Sequence, residues 1–201
     1  MTHHADTFDA IFQGQDDPWG FKTRWYEQRK RAMTLAALPR PRYASAYEPG
    51  CANGELSATL AERCDQLLVS DGNPHALAMA RARLAALPHV RVLPAWLPAE
   101  WPPGRFDLIV ISEVGYYLDP AALHDLANRA RQGLHEHGTV LACHWKAPID
   151  GCALTGAQVQ EQLGRQLDLP HLLRVDDADF LLDVWCADSR SVAQTEGLRD
   201  T

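Results

Sequence analysis

Four residues have the types and spacing to hold a charged, hydroxyl-bearing ligand: Glu48, Gly50, Gly54 and Asp71. Three of them belong to the run Tyr47-Glu48-Pro49-Gly50-Cys51-Ala52-Asn53-Gly54, which the pattern places between a strand and a helix. A glycine-punctuated turn of that kind admits a ligand where a side chain would collide, and it presents helix N-terminal N–H groups. Glu48, just ahead of Gly50, offers a carboxylate to a cationic group. Asp71 closes the apolar run Leu67-Leu68-Val69-Ser70 and offers acceptors to ribose hydroxyls. A dinucleotide-binding turn needs glycine at its first, third and sixth places. Here these are Gly50, Ala52 and Glu55, and the acid at the last place argues against a pyrophosphate and so against a nicotinamide dehydrogenase.

The elements that must hold these residues follow from hydrophobic period and turn chemistry. Residues 43–47 predict a buried strand, and Leu56, Leu60 and Cys64 predict a helix over 55–64. Gly72 leads to Asn73-Pro74, a helix start with Asn as cap and Pro at the first helical place; Leu77, Ala80, Leu84 and Leu87 carry its packed face to Pro88. A third strand over 90–93 runs into the loop Pro94-Ala95-Trp96-Leu97-Pro98, at the strand end where open α/β sheets bind ligands. Trp96 there would pack on a flat heterocycle or plug the sheet edge. Residues 106–114 form the most apolar stretch and predict a central strand, with Ser112 and Glu113 at its carboxyl end and Tyr116 and Tyr117 beyond. A second cap-and-proline start, Asp119-Pro120, opens a helix packed through Leu123, Leu126, Ala130 and Leu134. Gly138 turns the chain into a fifth strand over 139–145, which carries His144 and Trp145. A helix over 156–167 and short strands over 172–175 and 180–187 follow. Alternation of this form predicts one doubly wound, mostly parallel, seven-stranded sheet with helices on both faces.

At 201 residues the chain suits a single domain, with polar, loose ends expected over 1–16 and 189–201. Between the first loose end and the sheet, Asp17-Pro18-Trp19 leads into a capping helix up to Leu38, with Tyr26, Ala32, Met33 and Ala36 proposed as its buried face. An apolar content of 46% with 22% charged residues is that of a globular protein. A net charge of -7 argues against nucleic acid as a partner. Five cysteines without a C-x-x-C pair indicate neither a disulfide framework nor a metal site, and point to a reducing cytoplasm. No apolar run suits a secretory signal or a membrane span.

The pattern acid-x-Gly-x-x-x-Gly at Glu48, Gly50 and Gly54 resembles motif I of the class I S-adenosylmethionine-dependent methyltransferases. Further blocks are Asp17-Pro18-Trp19 and Leu182-Asp183-Val184-Trp185, and the specific ones are Tyr26-Glu27-Gln28-Arg29-Lys30, Ser112-Glu113-Val114 with Tyr116-Tyr117-Leu118, and His144-Trp145. With these, residues 17–188 resemble the NodS family of nodulation methyltransferases. The resemblance implies S-adenosylmethionine as cofactor and methylation of an amine, the free amino group of a deacetylated chitooligosaccharide or another amino sugar. Another small-molecule acceptor, or cofactor binding without catalysis, remains open. On this reading Trp19, Arg29, Glu48, Gly50, Cys51, Ala52, Gly54, Asp71, Gly72, Asn73, Ala95, Trp96, Leu97, Ser112 and Glu113 hold the cofactor, with Arg29 forked onto its methionyl carboxylate. Glu113 and His144 bind or deprotonate the acceptor, and Tyr116, Tyr117 and Trp145 line its place. No metal is implied. Two departures are Ala52 in place of a second glycine and His135-Glu136-His137-Gly138 in place of a Pro-Gly-Gly turn.

Overall fold

The structure, a computed structural model, describes residues 17–200; the loose segment expected over 1–16 lies outside them. The chain order is α1 (Trp25–Ala36), β1 (Tyr43–Pro49), α2 (Glu55–Ala61), β2 (Cys64–Asp71), α3 (Pro74–Leu84), β3 (Val90–Pro94) and β4 (Phe106–Ser112). After a 3-10 turn at Gly115–Tyr117 come α4 (Pro120–Gln132), β5 (Leu134–Trp145), α5 (Gly156–Leu167), β6 (His171–Asp176), β7 (Phe180–Cys186) and α6 (Val192–Thr195). The strands form one seven-stranded sheet in the order β3-β2-β1-β4-β5-β7-β6. The first five strands pair parallel. β7 is antiparallel to both β5 and β6, because the chain between β6 and β7 is a tight turn, too short for a crossover. Strand order reverses between β1 and β4, so a crevice opens at their carboxyl ends.

Period-two alternation along the strands divides the core into two layers. In β4, Leu108 and Val110 join Leu60, Leu67, Val69 and Leu84 on one face, whereas Ile109 and Ile111 join Leu123, Leu126, Val140 and Leu163 on the other. Each such buried side chain contributes about 1.5–3 kcal/mol of transfer free energy. The capping chemistry works as predicted: the Asn73 side chain accepts from the N–H groups of His75 and Ala76, and Asp119 accepts from Ala122.

Several boundaries differ from the expected ones. α2 stops at Ala61, and Cys64 instead opens β2 opposite Tyr43, so its match to the helical period is fortuitous. Likewise Leu134 is not in α4 but starts β5, paired with Phe106, and Gly138 lies within that strand at an irregular register. β4 ends at Ser112, because Glu113 takes φ +58°. On α1 the expected apolar face is only half realised: Tyr26 and Met33 are partly buried against the core. Ala32 and Ala36 are exposed, while Glu27, Lys30 and Thr34 are buried. The helix packs on the core through Tyr26 and Met33 and turns Glu27, Lys30 and Thr34 to the polar mouth of the crevice. In the tail, Ser191 and Gln194 form a reciprocal cap on the short helix α6. Among the described residues no helix is long and apolar enough to cross a membrane.

Candidate active site

A cavity of about 1190 Å³ lies at the carboxyl ends of the parallel strands, with α1 and the segment before it along one side. At one end its wall is backbone. Gly50 has φ +74°, and a β-carbon there would lie 2.2 Å from Val114 Cγ2, so a side chain is excluded twice over. The N–H groups of Gly50 and Cys51 both donate to Ser70 O, at 2.7 and 2.9 Å. They pin the turn to β2 and are not presented to a ligand. Ala52, at φ +47°, donates its N–H to Asp71 Oδ2 at 3.0 Å, and Asn73 N–H donates to Asp71 Oδ1 at 2.9 Å. With the Gly72 amide also on this carboxylate, three of its roughly four acceptor sites are filled and one is still open. Burial pushes the Asp71 pKa up, and the amides of Asn73, Ala52 and Gly72 oppose it.

Glu48 lines the same end, is 3% exposed, and its Oε2 has no hydrogen-bond partner. Burial pushes its carboxyl up to about 8. An open carboxylate oxygen in such a place is a receptor for a cation. A β-carbon at Gly72, which also lines the cavity, would lie 2.3 Å from the Trp96 ring, so the absence of a side chain is what lets the indole rest there. Trp96 remains 40% exposed beside the cavity.

The other end is ionic and aromatic. The left-handed backbone at Glu113 costs about 1–3 kcal/mol. Its side chain places Oε1 3.1 Å from Lys30 Nζ, while Oε2 accepts the Tyr116 hydroxyl and, at 3.3 Å, the Trp145 N–H. Lys30 also sits 3.1 Å from Glu27 and 4.9 Å from the centre of the Tyr26 ring. Burial works against the charge on Lys30, but Glu113 and Glu27 outweigh it and raise its pKa. Glu27 is itself raised, by burial first, with Lys30 opposing. Removing one member of such a buried pair typically costs about 3–5 kcal/mol.

The cavity brings together Trp19, Glu48, Gly50, Cys51, Ala52, Asp71, Gly72, Ala95, Trp96, Leu97, Ser112, Glu113, Tyr116, Tyr117 and Trp145. Gly54, Asn73, Arg29 and His144 do not line it. Gly54 makes the turn instead, at φ +80° with its N–H on Cys51 O, and Asn73 serves as the α3 cap. Arg29 points elsewhere: its Nη2 lies 2.6 Å from Asp177 Oδ2, and its guanidinium lies 5.8 Å from the Phe180 ring centre. An acid in the β6–β7 turn has taken the place that the sequence reading gave to a ligand carboxylate. His144 is fully buried; its Nε2 accepts the Gly115 N–H at 3.1 Å, and burial lowers its pKa to about 4. It is a neutral ring that holds the 3-10 turn, because strand alternation turns Trp145 and not His144 toward the cavity.

Sequence reasoning missed Glu27 and Lys30 and weighed Tyr26 only as core. Their signal was present: Glu27, Lys30 and Thr34 recur at three and four residues, one stripe of a helix. Asp17 was also passed over. It accepts from the N–H groups of Phe21 and Lys22 and from Asn53 Nδ2, which ties the segment before α1 to the glycine turn.

Comparison with known proteins places this architecture. A crystal structure of a candidate methyltransferase from Pseudomonas syringae is 52% identical, over 81% of this chain and 99% of that one, with a TM-score of 0.74. The N-methyltransferase NodS from Bradyrhizobium japonicum WM9, in complex with S-adenosyl-L-homocysteine, has a TM-score of 0.78 at 22% identity, over 90% of this chain and 97% of that one. The sheet and its flanking helices are thus the class I methyltransferase fold. Nodulation protein S of Bradyrhizobium diazoefficiens is 37% identical over 111 residues, 54% of this chain and 53% of that protein. The match therefore spans about half the length of the curated relatives. The model of the nodulation protein S family matches residues 12–140, which take in α1, the glycine turn, Asp71 and the Glu113 loop, and the chain belongs to the NodS family.

Proposed function

We propose that the protein is an S-adenosylmethionine-dependent N-methyltransferase acting on an amine, foremost the free amino group of a deacetylated chitooligosaccharide or another amino sugar. The observation that carries this reading is the fit of the backbone end of the cavity to an adenosyl amino acid. There is no room for a β-carbon at Gly50 or Gly72, Glu48 Oε2 is buried without a partner, and Asp71 keeps an open acceptor site. Glu48 would take the ammonium group, Asp71 the ribose hydroxyls and Trp96 a face of the adenine. Bound there, the cofactor supplies a methyl group already activated by its sulfonium. The chain's own work is alignment of the acceptor and exclusion of water. Trp19 and α1 wall the site on one side, and Tyr116, Tyr117 and Trp145 line the acceptor end. Glu113 faces that end and would bind the acceptor nitrogen and receive its proton. That the NodS of Bradyrhizobium japonicum WM9 is an N-methyltransferase supports nitrogen as the methylated atom.

Turnover tests the reading. S-adenosylhomocysteine should form with glucosamine or deacetylated chitobiose and not with the N-acetylated sugars, and mass spectrometry should find the product N-methylated. Tight S-adenosylhomocysteine binding without turnover of any amine would leave a binding protein instead.

Two further results are expected of the cofactor end. The Glu48 carboxyl, pushed up to about 8, must ionise to meet an ammonium group. Affinity for S-adenosylhomocysteine should therefore rise with pH, by up to about tenfold per unit below the Glu48 pKa, and level off above it. Calorimetry in buffers of different ionisation heat should detect the released proton, and Glu48→Gln should weaken binding and flatten the profile. Arg29→Ala, by contrast, removes an outward pair with Asp177 and should leave the S-adenosylhomocysteine Kd within about twofold. A large loss there would restore Arg29 to the cofactor.

A further inference from the structure

We infer that Arg24 and Arg31 form a carboxylate receptor on the α1 wall of the cavity, and that it reads an acidic group carried by the acceptor. The preferred acceptor is then a zwitterion, an amine that also bears a carboxylate. The inference rests on the methyltransferase reading above and narrows it, because a plain amino sugar offers nothing to either guanidinium.

Arg24, Glu27 and Arg31 recur at three and four residues, and all line the cavity from one stripe at the start of α1. The segment before the helix fixes both arginines in place. Arg31 donates through Nη1 to Phe21 O at 2.7 Å, and Arg24 folds over Gly20, where a β-carbon would lie 2.8 Å from its Nε. Neither guanidinium has a carboxylate partner among the described residues. The other acids of the cavity are engaged elsewhere. Lys30 holds Glu27 and Glu113, Arg83 lies 2.6 Å from Glu55, Glu100 accepts the Trp96 N–H, and Asp119 accepts that of Ala122. An arginine fork left open in a cavity wall matches a carboxylate with two parallel hydrogen bonds.

The cofactor brings a carboxylate of its own, beside the ammonium group that Glu48 would take. A single carboxylate occupies one fork, and the wall carries a second. The charge on Arg31 is also felt at the acceptor end: burial raises the Glu27 pKa, and Lys30 and Arg31 oppose it. At Glu48 the groups that act besides burial are Ser57 and Asp71, and neither arginine is among them. Arg31 is thus coupled to the end where Lys30 holds Glu113 and not to Glu48. An acceptor whose nitrogen faces Glu113 would turn its acid toward α1.

The test is calorimetry on the full-length protein saturated with S-adenosylhomocysteine. It compares glucosamine with two acids built on it, 2-amino-2-deoxyglucuronic acid and muramic acid. Wild type should bind one of the acids at least about tenfold more tightly than glucosamine. Arg31→Gln should remove most of that preference while changing the glucosamine Kd less than about threefold, and Arg31→Lys should recover part of it, because an ammonium makes no fork. Arg24→Gln should cost less, since Arg24 is exposed and Arg31 is half-buried. A cofactor role would show in a second comparison, of S-adenosylhomocysteine with methylthioadenosine, which lacks the amino-acid head. Both Kd values should stay within about threefold of wild type in Arg31→Gln, which also reports that the variant is folded. A selective loss of S-adenosylhomocysteine would give the fork to the cofactor and overturn the inference. So would a wild type that binds neither acid better than glucosamine, or an undiminished acid preference in Arg31→Gln. Preference for an acid without turnover of any amine counts instead against the methyltransferase reading.

Discussion

Gly50→Ala is expected to abolish cofactor binding and to destabilise the fold by about 2–4 kcal/mol, through left-handed strain and a collision in the same place. The new β-carbon would lie 2.2 Å from Val114 Cγ2. Val114 is β-branched and cannot swing aside without leaving its rotamer. It also directly follows Glu113, so a push on it reaches the acceptor end. Thermal unfolding and calorimetric titration with S-adenosylhomocysteine would measure both effects. Gly151→Ala is the matched control, since its φ is +82° but nothing lies within 4 Å of the added carbon. It should show backbone strain alone and normal binding. Near-wild-type affinity in Gly50→Ala would mean that no ligand approaches this turn.

Asp71→Ala should weaken S-adenosylhomocysteine binding by about 1–3 kcal/mol, because it removes charged acceptors from the ribose hydroxyls. A second loss comes with it. The N–H groups of Ala52, Asn73 and Gly72 donate to this carboxylate, so the variant leaves three amides without that acceptor and should also unfold at lower temperature. Asp71→Asn keeps one acceptor oxygen and should fall between the two in both measurements. A lower melting temperature with unchanged affinity would make Asp71 a brace for the turn and not a ligand for ribose.

The central sheet and the backbone end of the cavity were largely legible in the sequence. Parallel strands buried on both faces write themselves as apolar runs, as in β4, and the Asn73-Pro74 and Asp119-Pro120 caps state their mechanism locally. Local signals misled where a residue fitted two periods. Cys64 and Leu134 each continue a helical spacing, yet sheet pairing with Tyr43 and Phe106 claims them. The acceptor end was harder to read, since hydropathy assigns buried positions to apolar residues. On α1, a helix laid across polar strand ends instead buries Glu27 and Lys30 against an acid 83 residues further on.

The sequence by itself determined what local chemistry can encode: the doubly wound architecture, the strand-to-helix turn at Gly50 and Gly54, and the two acids Glu48 and Asp71 that flank it. Tertiary structure decided which charged groups meet. Arg29 and Lys30 are neighbours in the chain, but one turn position on α1 sends the first out to Asp177 and the second in to Glu113. His144 and Trp145 are likewise adjacent, and strand alternation buries the first while giving the second to the cavity. A charge finds its partner across the fold, through contacts between residues far apart in the chain, and no short-range pattern records that distance.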